Sequence, residues 1–451
     1  MNFNDKNVLI IGAGISGIAA VRLLEEAGAV CTLFDGNEKL DRNRVRENFP
    51  ENSNLQIHAG ELPQEVLAKA DLLVMSPGVP TDIAIVEQAK EMGIPVWGEI
   101  ELAFAFEKGR VLAITGTNGK TTTTALLGEI MKDYFAHVFV VGNIGIPYTE
   151  VVKESTEDSV TVAELSSFQL ETVHTFKPVV SAILNITPDH LNRHHTMDNY
   201  VAAKERITIN QTKNETCVLN YEDDYTRGFG NRTTANVIYF SARRTLENGF
   251  FLEEDTIYKA TNGNYTRLMG IHEMKLLGIH NAENAMAAIA MADAFEVPME
   301  SILHTVRNFN AVEHRIEFVA TKDGVDYYND SKGTNPDAAI KGIQAMNKPT
   351  CLIGGGYDKQ NEYDEWINSF DGKVKLLVLI GQTREKIAEC AKKNGFTSYV
   401  FADSLEEAVK ICREHAVSGD AVLLSPACAS WGMFPNYEVR GNMFKEMVHT
   451  L

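Results

Sequence analysis

The stretch Val111-Leu112-Ala113-Ile114-Thr115-Gly116-Thr117-Asn118-Gly119-Lys120-Thr121-Thr122 decides the fold. An apolar, β-branched run ends at a glycine, passes into Lys-Thr-Thr and continues as the helical Ala125-Leu126-Leu127. In such a strand–loop–helix unit, successive backbone N–H groups cradle anionic oxygens. Lys120 adds positive charge, and the Thr121 hydroxyl can reach Mg²⁺. The spacing is a shortened G-x-x-G-K-T, since the first glycine of the longer phosphate-loop pattern would fall at Ile114. The loop predicts ATP as ligand, held by Gly116, Thr117, Asn118, Gly119, Lys120, Thr121 and Thr122.

Working outward, the chain repeats the same strand–turn–helix alternation, which is the sequence form of parallel sheets covered by helices. Three blocks separate, at 1–106, 107–312 and 313–451. The first has strands at Val8–Ile11, Cys31–Phe34, Leu55–His58, Leu72–Met75 and Pro95–Trp97. Its Gly12-Ala13-Gly14-Ile15-Ser16-Gly17 directly follows a strand, and Asp35 ends the next one. That is the spacing of a dinucleotide fingerprint, and it predicts a nucleotide diphosphate at Gly14, Ile15 and Ser16 with Asp35 nearby. The second block adds strands at Val138–Val141, Val160–Ala163, Val179–Leu184 and Cys217–Leu219, then hairpins turning at Asn262-Gly263-Asn264. The third has strands at Val325–Tyr328, Cys351–Ile353, Leu376–Ile380 and Ala421–Leu424. The fold class is therefore α/β. A Rossmann-like N-terminal domain precedes a P-loop ATPase-like central domain with a small antiparallel sheet, and a Rossmann-like C-terminal domain follows. An NAD-dependent dehydrogenase fits the first block alone and leaves the ATP loop unexplained.

Composition narrows the function classes. Lys plus Arg total 42 against 61 Asp plus Glu, a net charge of −19, which argues against nucleic-acid or anionic-membrane partners. The six cysteines are scattered with no CxxC pair and read as thiols in a reducing compartment. With no long apolar run and no leader-like start, the sequence predicts a soluble cytoplasmic protein, a monomer acting on small molecules.

A phosphoryl-transfer site also needs oxygen ligands for a metal. Glu164 ends the strand Val160–Ala163, and Asp189 and His190 follow the next strand at the same carboxyl edge. The two strand ends are expected to be adjacent. His194 and His195 read as solvated loop residues. Lys204 reads on chemistry alone as a surface lysine, with Glu205 and Arg206 as solvated neighbours.

The combination of Gly116-Thr117-Asn118-Gly119-Lys120-Thr121, Gly142-Asn143-Ile144-Gly145 and Glu164-Leu165-Ser166-Ser167-Phe168-Gln169-Leu170 resembles the ATP-dependent peptidoglycan-precursor (Mur) ligases. So do His280-Asn281-Ala282-Glu283-Asn284, Glu313-His314-Arg315, Asn329-Asp330-Ser331-Lys332-Gly333-Thr334-Asn335 and Ser425-Pro426-Ala427-Cys428-Ala429-Ser430. The motifs run in order through all three blocks.

The resemblance implies a ligase that adds D-glutamate to UDP-N-acetylmuramoyl-L-alanine through an acyl phosphate, using ATP and Mg²⁺. It implies that the first domain holds the UDP moiety, with Asn143 near ATP and the uridine substrate. By the same carry-over Lys204 is carbamylated, reversing the reading from chemistry alone, and joins Thr121, Glu164 and His190 as a metal ligand. Asn284, Arg315 and Asp330 are implied to contact ATP. Lys332, Thr334, Lys359, Ser430 and Tyr437 are implied to surround D-glutamate; Tyr437 stands where the family pattern has Phe, and the stretch around Lys359 varies. Asp189 is expected near the incoming amine, receiving its proton or orienting His190. No Asp-Asn-Pro-Arg or Asp-Asn-Pro-Lys stretch, the mark of ligases adding diaminopimelate or lysine, occurs. A folylpolyglutamate-synthase-like ligase shares the ATP domain but lacks the N-terminal glycine turn. A regulatory nucleotide-binding protein would have no use for the motifs of the third block. Hinges are expected near Phe106 to Arg110 and near Asn310 to Arg315.

Overall fold

A computed structural model describes residues 2–143, 146–310 and 312–451. Three sheets define three α/β domains. The first is fully parallel, in the order β3-β2-β1-β4-β5, from β1 (Asn7–Ile11), β2 (Val30–Asp35), β3 (Gln56–Ala59), β4 (Leu72–Met75) and β5 (Val96–Gly98). Order reverses between β1 and β4, so the glycine turn after Ile11 opens at the point where parallel sheets bind ligands.

The second sheet has nine strands: β6 (Arg110–Thr115), β7 (Val138–Gly142), β8 (Val160–Glu164), β9 (Val180–Ile183), β10 (Thr216–Asn220), β11 (Asn236–Ser241), β12 (Gly249–Glu253), β13 (Thr256–Thr261) and β14 (Asn264–Gly270). Their order is β14-β13-β12-β11-β10-β9-β6-β8-β7. The strands from β6 to β12 run parallel, and β12–β13–β14 is an antiparallel meander. Asn262 and Gly263 both take positive φ (51° and 76°), the conformation a tight two-residue hairpin demands. Glu164 and Asp189 therefore do not leave adjacent strands, as the sequence suggested: β6 lies between β8 and β9. The correction places the phosphate loop between the two acidic strand ends.

The third sheet has β15 (Glu317–Lys322), β16 (Val325–Asn329), β17 (Thr350–Gly355), β18 (Val374–Ile380), β19 (Tyr399–Phe401) and β20 (Ala421–Leu424), ordered β15-β16-β20-β17-β18-β19. Only β15 is antiparallel to its neighbour.

The chain divides into two compact units, 1–271 with 283–307, and 272–282 with 308–451. The first two sheets share the first unit, and one apolar core joins them through Ile100, Leu102, Tyr148, Leu170 and Phe176. Two glutamates, Glu99 and Glu101, fasten this junction, and a third, Glu107, braces the start of the central domain. Glu99 accepts from Thr149 N (2.8 Å) and Oγ1 (3.1 Å). Glu101, fully buried, accepts from the backbone N–H groups of His174, Thr175 and Phe176 and from the Thr175 hydroxyl. Glu107 accepts from Tyr148, Thr161 and the N–H groups of Lys108 and Gly109. All four of these donors belong to the central domain, so the Glu107 carboxylate anchors the start of that domain. Among the described residues no helix is long and apolar enough to cross a membrane.

Removing the Glu101 carboxylate leaves three backbone N–H groups without their acceptor. Glu101→Ala is expected to cost about 3 kcal/mol or more, and Glu101→Gln less, since one acceptor oxygen remains. Urea unfolding of the two variants against wild type measures the difference.

Candidate active site

The phosphate loop takes the geometry its sequence predicts. Gly119 has φ +85° and caps the helix Lys120–Tyr134, and a Cβ there would run into the Asn284 side-chain oxygen. Asn284 therefore lies against the loop. The loop is stapled to the segment after β9: Asn118 N donates to Asn185 Oδ1 (2.8 Å), Asn185 Nδ2 to Asn118 O (3.0 Å) and Thr117 N to Asn185 O (2.9 Å). The Thr117 hydroxyl lies 3.0 Å from Tyr200 Oη. Lys120 Nζ folds back on the carbonyls of Gly116 (2.9 Å) and Thr117 (3.0 Å). Thr121 and Thr122 are buried at the start of the helix.

Glu164 is buried at the end of β8. Asn143 Nδ2 donates to its Oε1 (3.0 Å), while Oε2 is buried with no hydrogen-bond partner among the described residues. Asn143 thus orients Glu164; Ile144 and Gly145 of the same motif lie outside the described residues. On the other flank of β6, His190 begins the helix Leu191–His194 at φ +52°, with its Nε2 3.4 Å from Asp189 Oδ2 and its ring edge-on to Phe168. Asp189 Oδ1 also accepts from His190 N, so its observed contacts are with His190.

Lys204 is not a surface lysine. It is 2 % exposed, it donates from Nζ to Gly116 O (2.8 Å), and that Nζ lies 4.7 Å from the Tyr200 ring centre. Burial first, then the Lys120 ammonium, push its amine well below the ordinary lysine range. The helix Met197–Glu205 turns this side chain inward while Glu205 pairs with Arg232. Arg206 is no solvated neighbour either, donating to the carbonyls of Leu170 and Val173. His194 is likewise buried, between Glu171 (3.3 Å) and Ser167 Oγ (2.9 Å), whereas His195 is exposed.

In the first domain, Asp35 accepts from Ala13 N (2.9 Å) and Asn37 N (2.9 Å), closing the glycine turn from within. A Cβ on Gly12 would strike Ser76, and one on Gly17 would strike Gly12 O, whereas at Gly14 nothing lies within 4 Å. Packing explains the outer glycines. The space at Gly14, beside exposed Ile15 and half-buried Ser16, is open to a ligand. A narrow crevice lies between this domain and the central one, lined in part by Ser76, Val79, Thr81, Phe168, Gln169 and Arg193.

The second unit gathers its own set at the carboxyl ends of β16, β20 and β17. Asp330 is buried, accepts from Ser425 Oγ (2.6 Å), and burial raises its carboxyl to about 7. Arg315 has a buried Nε without a hydrogen-bond partner among the described residues. Thr334 N donates to Lys332 O, Lys332 Nζ lies 5.4 Å from the Tyr437 ring centre, and burial lifts the Tyr437 hydroxyl to about 12. Ser430 is buried, and Lys359 is exposed on the neighbouring loop. Arg315 and Asp330 thus lie in the second unit and Asn284 in the first. Sequence reasoning missed Arg440, fully buried, which donates to Ser331 Oγ (2.9 Å), Ser331 O (2.8 Å) and Cys428 O (3.2 Å). It joins the loops after β16 and β20. Asn185 and Arg440 carry no motif of their own, and only their spacing from the recognised stretches marks them.

A phosphate loop flanked by Glu164 and Asp189, in a chain that carries two further α/β domains, defines a three-domain nucleotide-dependent enzyme. The chain belongs to the Mur ligase family. Residues 6–98 match the Mur ligase MurD-like N-terminal domain, 114–292 the Mur ligase middle domain and 314–428 the Mur ligase glutamate ligase domain. It is 58% identical over 451 residues, all of both chains, to the UDP-N-acetylmuramoylalanine–D-glutamate ligase of Lachnospira eligens. To the protein of that name from Lachnoclostridium phytofermentans it is 56% identical, over 100% of this chain and 99% of the relative. Among solved structures, the UDP-N-acetylmuramate–alanine ligase of Thermotoga maritima superposes with a TM-score of 0.62 at 19% identity, over 99% of both chains. The MurF ligase of the same organism, in complex with ADP, gives 0.59 at 15% identity, over 99% of this chain and 96% of that one. These two share the fold.

The raised carboxyl of Asp330 has a pH signature. A carboxyl that holds its proton more tightly when folded stabilises the fold fully below about pH 4, and that contribution is lost as pH rises through about 7. Asp330→Asn is expected to gain on wild type by on the order of 4 kcal/mol across that window. Urea midpoints at pH 4.5 and 7.5 measure it, and a gap independent of pH would contradict it.

Proposed function

We propose that this protein joins D-glutamate to UDP-N-acetylmuramoyl-L-alanine with hydrolysis of ATP to ADP and phosphate. The observation that carries the reading is identity over the whole of both chains to relatives named for that ligation. One chain carries all three domains, so the activity is assigned to a monomer, and the free cysteines suit a cytoplasmic setting.

The substrate dictates the chemistry. A carboxylate at neutral pH has no leaving group, so its oxygen first attacks the γ-phosphorus of ATP, and ADP leaves. The amine nitrogen of D-glutamate then attacks the acyl carbon, and the tetrahedral intermediate expels phosphate. The N–H groups of Gly116 to Thr122 and the Lys120 ammonium hold the charge of the transferring group, where catalysis of this kind arises. Asn284, Arg315 and Asp330 are assigned to the nucleotide. Gly14, Ile15, Ser16, Asp35 and Asn143 are assigned to the UDP substrate, and Lys332, Thr334, Lys359, Ser430 and Tyr437 to D-glutamate. Asp189 orients His190 and is assigned the proton that the amine loses.

The residues suit a divalent cation. Glu164 presents a buried oxygen without a partner, and Thr121 stands at the helix start. Among the described residues no three His, Cys, Asp or Glu side chains form a metal group, so Glu164 and His190 need a further oxygen donor. Lys204 can become one. Its neutral amine adds to the carbon of CO₂, a C=O electron pair moves to oxygen, and the ammonium proton passes to solvent, leaving a carbamate. Thr121, Glu164, His190 and carbamylated Lys204 would hold Mg²⁺, which when bound neutralises charge on the phosphoryl oxygens.

Phosphate release is expected to require both the sugar nucleotide and D-glutamate, and to fail with L-glutamate, L-lysine or diaminopimelate. Silence with all four amino acids would remove the substrate assignment. Lys120→Met is expected to lose most turnover while binding the UDP substrate nearly as wild type does; equal loss of both would contradict the division of labour. For Lys204, ¹³C-bicarbonate is expected to give a carbamate resonance that Lys204→Arg lacks, and stripping CO₂ should lower activity reversibly. A resonance that persists in the variant would refute the assignment.

A further inference from the structure

Lys359 follows β17 on one loop, and Trp431 follows Ser430 on the loop after β20. Two contacts lock these loops together: Tyr357 N donates to Ala429 O (2.9 Å), and Gly356 approaches so closely that a Cβ would strike the same carbonyl. Trp431 is 53 % exposed and Tyr357 40 % exposed, an unusual placement for two large rings in contact. Their ring centres are 5.6 Å apart at 63°, edge to face. The Lys359 ammonium lies 4.8 Å from the centre of the Trp431 ring. Among the described residues Lys359 makes no ion pair. The adjacent Asp358 carboxylate is committed elsewhere, accepting from Gln360 N (2.7 Å) and facing Lys386 Nζ (3.5 Å).

In a chain of net charge −19 a carboxylate partner for an exposed lysine is easily found. A carboxylate would cancel the charge that an anionic substrate must meet. An aromatic face attracts the ammonium through its quadrupole and leaves the net charge intact.

We propose that Trp431 is a positioning residue for the amino-acid substrate: its indole face, braced by Tyr357, holds the Lys359 ammonium un-neutralised beside Ser430 for a carboxylate of the incoming dicarboxylic amino acid. The proposal rests on the reading of this loop pair as the D-glutamate site. It makes the aromatic platform a determinant of specificity, because a substrate whose side chain ends in an ammonium meets a cation held without a counter-charge.

The test is a double-mutant cycle in the full-length protein, with steady-state KM for D-glutamate and for ATP measured in Trp431→Leu, Lys359→Met and the double variant. An exposed cation–π contact is worth about a two- to fivefold effect, so Trp431→Leu is expected to raise KM for D-glutamate by that factor and to move KM for ATP less. Trp431→Phe, which keeps a weaker π face, is expected to fall between, and carries the cycle should the leucine variant fail to fold. In the Lys359→Met background the Trp431 substitution is expected to add nothing, since its effect passes through the lysine. A full, multiplicative effect of Trp431→Leu on that background would assign it a merely structural role and overturn the proposal. So would an unchanged KM in Trp431→Leu, or in Lys359→Met. In those cases the D-glutamate reading stands provided wild-type phosphate release still requires D-glutamate; loss of that requirement overturns both.

Discussion

One carbonyl oxygen organises the catalytic edge of the central domain. Gly116 O accepts from Lys120 Nζ on the loop's own helix and from Lys204 Nζ on a helix that arrives much later in the chain. Two ammonium groups on one oxygen in a water-poor setting repel strongly. Burial first, and the Lys120 charge second, favour the uncharged form at Lys204. An uncharged amine has a free electron pair, which a buried nitrogen can commit to a covalent bond. The geometry of the phosphate loop and the altered chemistry of Lys204 are thus one constraint seen from two sides.

The core strands were legible because parallel strands, buried on both faces, write continuous apolar runs such as Leu72–Met75 and Ala421–Leu424. Three strands escaped that reading. β15 and β19 lie at sheet edges, β19 is three residues long, and β11 mixes Asn, Tyr and Ser with its apolar residues. The glycine loops were legible through their turn chemistry. Lys204 and His194 were not, because a helix of low amphipathic contrast such as Met197–Glu205 does not reveal which side faces inward. Arg440 was hidden for the opposite reason: a charged residue on a C-terminal helix reads as solvated, and only the fold shows it spanning two loops.

That buried arginine and the buried glutamates of the first unit solve one problem in opposite senses. Glu101 gathers four donors from residues 174–176, and Arg440 gathers three acceptors from residues 331 and 428. Each charge is met chiefly by backbone dipoles, with a hydroxyl added in each case and Asp330 as a further electrostatic partner of Arg440. Such compensation is directional, so it fixes loop geometry in a way that a flexible ion pair on the surface does not.

The fastening of the first two domains by Glu99 and Glu101 has an energetic consequence. The junction is assembled from the chain's own buried carboxylates and backbone N–H groups, so a ligand bound on either side of it spends no binding energy on assembling it.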